Sequence, residues 1–112
     1  MKILTICSAG TVRSVAMAHC LKHNFDQDAL PAGRDANSQQ TLDMLSDWAD
    51  VIILMQPKYG EGILKRHVHK VVPPALTDVG MDRWGNALDP ELQSIVGEIA
   101  KDLVERKLIR LG

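Results

Sequence analysis

Five consecutive apolar residues, Val51-Ile52-Ile53-Leu54-Met55, lie between Asp50 and Gln56. The run is short for a helix and rich in β-branched side chains, so it reads as a strand. No position in it is suited to face water. An antiparallel sheet with one wet face would show alternation; a continuous run belongs to a parallel sheet covered by helices on both sides. That single segment narrows the chain to an α/β architecture.

The rest of the sequence fits the same plan. Lys2-Ile3-Leu4-Thr5-Ile6 is a second short, β-branched run, followed by the small, polar break Cys7-Ser8-Ala9-Gly10-Thr11. From Ser14 to His23 the apolar positions Val15, Met17, Ala18 and Leu21 take helical spacing. Asp28 to Gly33 is a weak second strand, and Ser38 to Asp47 a helix with Leu42 and Leu45 inward. After the Val51–Met55 strand, Pro57 opens a short helix reaching about Arg66, and Val68 to Val72 is a fourth strand candidate stopped by Pro73-Pro74. Thr77 to Leu88 reads as a loop. Asp89-Pro90-Glu91 then carries the signs of a helix start, with a capping acid, proline at the first helical position and acid in the first turn. Leu92, Ile95, Val96, Ile99 and Leu103 form the inner stripe of that last helix.

The expected fold is therefore a three-layer, doubly wound, mostly parallel sheet of about four strands. At 112 residues the chain is expected to form one domain, residues 1 to 112. Thirteen Lys and Arg against fourteen Asp and Glu leave a formal net charge of −1, which argues against binding nucleic acid or an anionic membrane by bulk electrostatics. No segment resembles a targeting peptide or a membrane span, and the two cysteines, Cys7 and Cys20, make neither a disulfide framework nor a zinc site. A cytoplasmic protein with two free thiols is the expectation.

In a doubly wound sheet the ligand crevice lies beyond the carboxyl ends of the strands, where strand order reverses. The loop after the first strand is the first place to look, and it begins with Cys7. Cys7-Ser8-Ala9-Gly10-Thr11-Val12-Arg13-Ser14 spells C-x5-R-S between a strand and a helix. A five-residue loop entering a helix N-terminus can wrap its backbone N–H groups around an oxyanion, and the helix dipole favours negative charge there. Gly10 permits the positive φ such a nest requires. Arg13 offers a planar, permanently charged fork for two phosphate oxygens. Cys7 as thiolate is a nucleophile, and Ser14 can donate a hydrogen bond to its sulfur. C-x5-R alone is a weak pattern, satisfied also by a buried small thiol and a solvated arginine. Its position after a leading strand, with glycine inside and serine following the arginine, favours phosphate binding by Ser8, Ala9, Gly10, Thr11, Val12 and Ser14.

These residues resemble the signature loop of the low-molecular-weight protein tyrosine phosphatases. Ala32-Gly33 is similar to that family's Ser-Ala-Gly turn, and Trp48-Ala49-Asp50-Val51-Ile52-Ile53-Leu54-Met55 to its WAD-hydrophobic-Met segment. The chain departs from the pattern in having Gly10 for the usual Asn and Val12 where a second loop cysteine is common. It also lacks an early acid in the first helix, having His19 nearby, and is shorter than typical members. The resemblance implies a phosphotyrosine phosphatase I-like fold and hydrolysis of phosphotyrosine or aryl phosphate through a phosphocysteine, with no cofactor. The partners implied are a phosphotyrosine protein or small aryl phosphate, and a phosphate- or sulfate-like oxyanion in the loop. It also implies a general acid, an Asp on the loop before the last helix. Asp78, Asp82 and Asp89 are the candidates; Asp82 is preferred because Trp84 could wall the pocket against a phenyl ring. Asp89 has a sufficient explanation as a helix cap.

Other residues carry less. Cys20 reads as packing, with redox rescue of Cys7 a minor alternative. His67 and His69 lack a further ligand cluster, so no metal is expected. Trp48 reads as core, and Tyr59 beside Gly60 as an exposed residue without a motivated role. Rival functions remain. Ile6 to Gly10 also resembles the opening of phosphotransferase-system IIB components, whose cysteine carries phosphate to a sugar, but those have small hydroxyl residues in place of Arg13. An arsenate reductase would need resolving cysteines that Cys20 alone does not supply. A non-catalytic phosphate-binding module is the last alternative.

Overall fold

The computed structural model describes residues 1–111. Strand β1 (Lys2–Cys7) leads to helix α1 (Arg13–Phe25), strand β2 (Asp28–Gly33), helix α2 (Gln39–Trp48) and strand β3 (Val51–Leu54). Three 3₁₀ segments follow, Pro57–Gly62, Lys65–Lys70 and Pro74–Leu76, before helix α3 (Pro90–Glu105). The sheet is parallel throughout, in the order β2-β1-β3, with Ile3 and Leu4 facing Ala29 and Leu30 on one side and Val51 and Ile52 on the other. Every residue of β3 is buried, as its unbroken apolar run requires.

The chain leaves β1 in one direction to form β2, then crosses back over β1 to form β3. Right-handed crossovers in opposite directions put α1 and α2 on opposite faces of the sheet. Helix α3 packs against α1, burying Leu92, Val96, Ala100 and Leu103. Its start is as the sequence indicates: the Asp89 carboxylate accepts from the N–H groups of Glu91 and Leu92, and Pro90 occupies the first turn. The point where strand order reverses is the carboxyl end of β1, so the topology itself singles out the loop that starts at Cys7.

The expected helix from Pro57 to Arg66 is instead two 3₁₀ segments broken at Ile63 and Leu64. The fourth strand, expected at Val68 to Val72, shrinks to one parallel bridge between Val71 and Ile52, backed by the Val72 N–H to the Ile52 carbonyl at 2.9 Å. Side-chain bonds to the end of α2 account for the change. His67 and Arg66 both reach Asp47, and Lys70 Nζ donates to the Ser46 carbonyl at 2.8 Å and to that of Asp47 at 3.3 Å. Lys70 thereby satisfies two of the last carbonyls of α2, while Arg66 and His67 hold the Asp47 carboxylate. These bonds also coil residues 65–70 against the helix rather than along the sheet. His67 is buried by this contact, whereas His69 is exposed. Trp48 is half-buried against the core. No helix among the described residues is long and apolar enough to cross a membrane.

Candidate active site

Strand β1 ends on Cys7, whose side chain is 2% exposed. Its Sγ lies 3.1 Å from Ser14 Oγ and accepts a hydrogen bond from the Gly10 N–H at 3.2 Å. Ser14 is set in turn by Thr5, whose hydroxyl donates to the Ser14 carbonyl at 2.7 Å. Thus the first strand positions both the sulfur and the hydroxyl that faces it.

Two glycines make the loop possible. Gly10 has φ +73°, a left-handed conformation, and a Cβ there would sit 2.6 Å from the Gly33 nitrogen. Gly33, at the end of β2, presses on the loop from the other side; its Cβ would meet the Ala9 carbonyl carbon at 2.5 Å. The chain beyond β2 then pins the loop, as Arg34 N–H donates to the Cys7 carbonyl at 2.7 Å and Asp35 N–H to that of Ser8 at 2.9 Å. The Ala32-Gly33 pair recognised in the sequence thus has a steric purpose.

Helix α1 begins without a side-chain cap at Val12. Its first intrahelical bond runs from the Ala16 N–H to the Val12 carbonyl at 2.8 Å, so the earlier N–H groups of the helix have no partner within it. Such an end favours an anion. Arg13 is the first residue of the helix and only 2% exposed. Its Nη1 donates to Gln56 Oε1 at 2.6 Å and to the Gly80 carbonyl at 2.7 Å. Its Nη2 donates to Tyr59 OH at 2.8 Å and to Ser8 Oγ at 3.2 Å. Nε is buried without a partner, and no described carboxylate pairs with the guanidinium. A buried cation held only by neutral acceptors is costly unless an anion joins it.

The remaining acid candidates are distributed unequally. Thr77 is buried, and its hydroxyl donates to the Leu54 carbonyl at 2.6 Å. With Val79 N–H on the Met55 carbonyl at 3.0 Å, it lays the following loop across the carboxyl end of β3 and brings the Gly80 carbonyl to Arg13. Asp78 accepts from Gly80 N–H at 2.8 Å and shapes that turn. Asp89 is occupied as the cap of α3. Asp82 is exposed, and its only hydrogen bond among the described residues is a long one, 3.4 Å from Trp84 N–H. Trp84, expected as a pocket wall, is 8% exposed; its Nε1 donates to Glu91 of α3 at 3.2 Å and Arg83 covers the ring. It anchors the loop to the last helix rather than standing open.

Sequence reasoning missed Gln56 and Tyr59. Tyr59, expected to be exposed, is 3% exposed and bonded to Arg13. The signal that could have found them is topological: residues just after β3 leave the sheet at the same edge as the Cys7 loop. Cys20 lies buried inside α1, where burial pushes its thiol up and the Asn24 amide draws it partly back. A cavity of about 380 Å³ opens beside the loop, lined by Arg34, Asp35, Lys58, Tyr59 and Glu61.

No family model and no curated protein matches the sequence. Solved structures do. A YwlE mutant from Bacillus subtilis superposes with TM-score 0.67 at 18% identity, covering 96% of this chain and 98% of that one. The chain shares the YwlE fold. YwlE arginine phosphatase from Geobacillus stearothermophilus matches with TM-score 0.58 at 19% identity, over 96% of this chain and 95% of that one. A cysteine-to-serine YwlE arginine phosphatase mutant with a phosphorylated active-site serine matches with TM-score 0.59 at 19% identity, over 97% of this chain and the whole of that one. YwlE belongs to the low-molecular-weight protein tyrosine phosphatases, so the expected fold is borne out. The parallel α/β plan holds with three strands and a bridge in place of about four strands.

Proposed function

We propose that this chain is a cysteine-dependent phosphatase, with Cys7 as nucleophile, Arg13 as phosphate clamp and Asp82 as general acid. The observation that carries the reading is the buried Arg13 guanidinium with an unpartnered Nε and no counter-ion among the described residues, on the same short loop as a cysteine hydrogen-bonded to serine and backbone. A phosphate group supplies the missing anion. Ser8, Ala9, Gly10, Thr11, Val12 and Ser14 form its cradle.

In the first step the Cys7 thiolate attacks phosphorus. The S–P bond forms as the bond to the leaving group breaks, and the leaving atom takes that electron pair and a proton from the Asp82 carboxyl. The developing charge on the phosphoryl oxygens is met by loop N–H groups and Arg13. In the second step water attacks phosphorus, gives a proton to the Asp82 carboxylate and releases the Cys7 thiolate, freeing inorganic phosphate. Ser14 hydrogen-bonds the sulfur when it is charged at the start and end of the cycle. The residues required are all side chains and backbone of this chain, so the reading needs no cofactor.

The substrate class follows from the leaving group. A phosphotyrosine protein or small aryl phosphate is the reading that the sequence supports. A second reading, phosphoarginine, draws support from two observations. Two of the structural neighbours are arginine phosphatases. The Tyr59 and Trp84 rings are buried, while Thr11 of the loop and the acid candidates Asp78 and Asp82 are exposed, a set of groups that suits a guanidinium better than a phenyl ring.

The test is release of inorganic phosphate from para-nitrophenyl phosphate, a phosphotyrosine peptide and a phosphoarginine peptide, without added metal. Wild type should turn over, Cys7→Ser should not, and Asp82→Asn should lose at least about tenfold, a threshold below the roughly hundredfold at which general-acid contributions usually begin. Preference between the two peptides decides the substrate class. An unaffected Asp82→Asn moves the acid to Asp78 or Asp89. A folded wild type that releases no phosphate from any of the three overturns the phosphatase reading in favour of a phosphate carrier or a binding module.

A further inference from the structure

The phosphatase reading assigns nothing to Gln56 and Tyr59, yet both sit on Arg13. The two side chains and the guanidinium close a ring of hydrogen bonds. Arg13 Nη1 donates to Gln56 Oε1 at 2.6 Å, Nη2 donates to Tyr59 OH at 2.8 Å, and Tyr59 OH donates to Gln56 Oε1 at 3.1 Å. The roles are fixed: the guanidinium donates twice, the phenol accepts from it and donates to the amide oxygen, and that oxygen accepts twice. A closed ring of this kind in a buried setting fixes all three members together. The Tyr59 ring adds a contact of 5.5 Å from its centroid to the Arg13 Cζ.

The ring determines which arginine donors remain for an anion. Nη1 is fully used, by Gln56 and by the Gly80 carbonyl. Nη2 has one short bond to Tyr59 and one longer bond, 3.2 Å, to the half-buried Ser8 hydroxyl on the loop. Nε is buried and has no partner among the described residues. The side of the guanidinium made of Nε and the Ser8-facing hydrogen of Nη2 is therefore the side left for two oxygens of one phosphate.

We propose that Gln56 and Tyr59 are positioning residues that hold the Arg13 guanidinium with its Nε/Nη2 edge turned into the phosphate loop. The inference rests on the phosphatase reading and adds to it a support reached across the sheet from β3. Both act on the phosphate through Arg13 and touch no reacting atom. Without them the arginine stays charged but can rotate about its long stem, and the fork no longer meets the anion in register.

Tyr59→Phe removes one oxygen and keeps the ring; Gln56→Met keeps the length and removes the acceptor. For each folded variant, three quantities are read: inorganic phosphate affinity as a competitive inhibitor of para-nitrophenyl phosphate hydrolysis, kcat/KM, and the pH profile of Cys7 alkylation by iodoacetamide. Loss of a buried hydrogen bond to a charged group predicts phosphate binding and kcat/KM weaker by about tenfold, together, in both variants. The alkylation profile should overlay that of wild type, because the sulfur's own partners are untouched. Wild-type phosphate affinity in both variants overturns the positioning role and leaves the phosphatase intact. An alkylation profile that moves along with affinity shows general distortion of the loop and also overturns it. A wild type that neither binds phosphate nor turns over removes the phosphatase reading itself.

Discussion

Replacing Gly33 by alanine puts a methyl group inside the phosphate loop. The added Cβ would lie 2.5 Å from the Ala9 carbonyl carbon, 2.7 Å from its oxygen and 2.7 Å from the Gly10 nitrogen. All three are backbone atoms, so no side chain can swing aside to make room. Either the end of β2 or the loop must shift, and both are tied by the Arg34 and Asp35 N–H bonds to the loop carbonyls. Forcing a methyl into a packed site costs about 1–3 kcal/mol. With an unfolding entropy of ~2 cal/mol/K per residue, that is a fall in Tm of roughly 4–12 °C for a chain of this length. Gly97 supplies the control. It lies inside α3 with open space where a Cβ would go. Gly97→Ala should therefore stabilise by about 1 kcal/mol and raise Tm by roughly 4 °C. Thermal unfolding followed by circular dichroism reads both. Phosphate affinity should fall sharply in Gly33→Ala and stay unchanged in Gly97→Ala. A Gly33→Ala protein with wild-type Tm and wild-type phosphate affinity would refute the close approach of β2 to the loop as the feature that shapes it.

The acid limb of stability should depend on Asp47. Its hydrogen bond to His67, then that to Arg66, holds the carboxyl below its ordinary value of 3.8. A carboxyl lowered in the folded state adds stability above that ordinary value and loses it as pH falls through the lowered one. The stability gap between wild type and Asp47→Asn in urea should accordingly be present at neutral pH and close below 3.8. A gap that widens on acidification would contradict this sign. The two thiols, both buried, should also differ: Cys7 lies on the loop at the N-terminus of α1, whereas Cys20 lies inside the helix with its thiol pushed up, so native protein at neutral pH should take one iodoacetamide adduct, at Cys7, and unfolded protein two. Peptide mapping that finds native labelling at Cys20 would contradict its burial.

Much of this protein is written locally. The apolar run Val51 to Leu54 dictates a strand buried on both faces, and the alternation of strand and helical periods dictates a parallel sheet. With these settled, the carboxyl end of β1 is the place where strand order reverses, and Cys7, Gly10, Arg13 and Ser14 are found there from their spacing alone. Asp89 and Pro90 mark the start of α3 by residue type. Such features rest on interactions spanning a few residues, which a linear pattern records.

Tertiary structure decided what reaches across. Gln56, Tyr59 and Gly80 lie 43, 46 and 67 residues from the arginine they hold, and no periodicity links them to it. Gly33 is indispensable only because the loop folds back onto β2. Residues 68–72 carry enough β-branched character to read as a strand, yet bonds from His67 and Lys70 to the end of α2 coil residues 65–70 and leave only the bridge at Val71. In each case the deciding contact joins elements distant in sequence, and at residues 68–72 it overrides the local preference. The sequence alone determined the scaffold and the chemical groups at its switch point; the packed structure decided which of those groups are held, turned and left free for an anion.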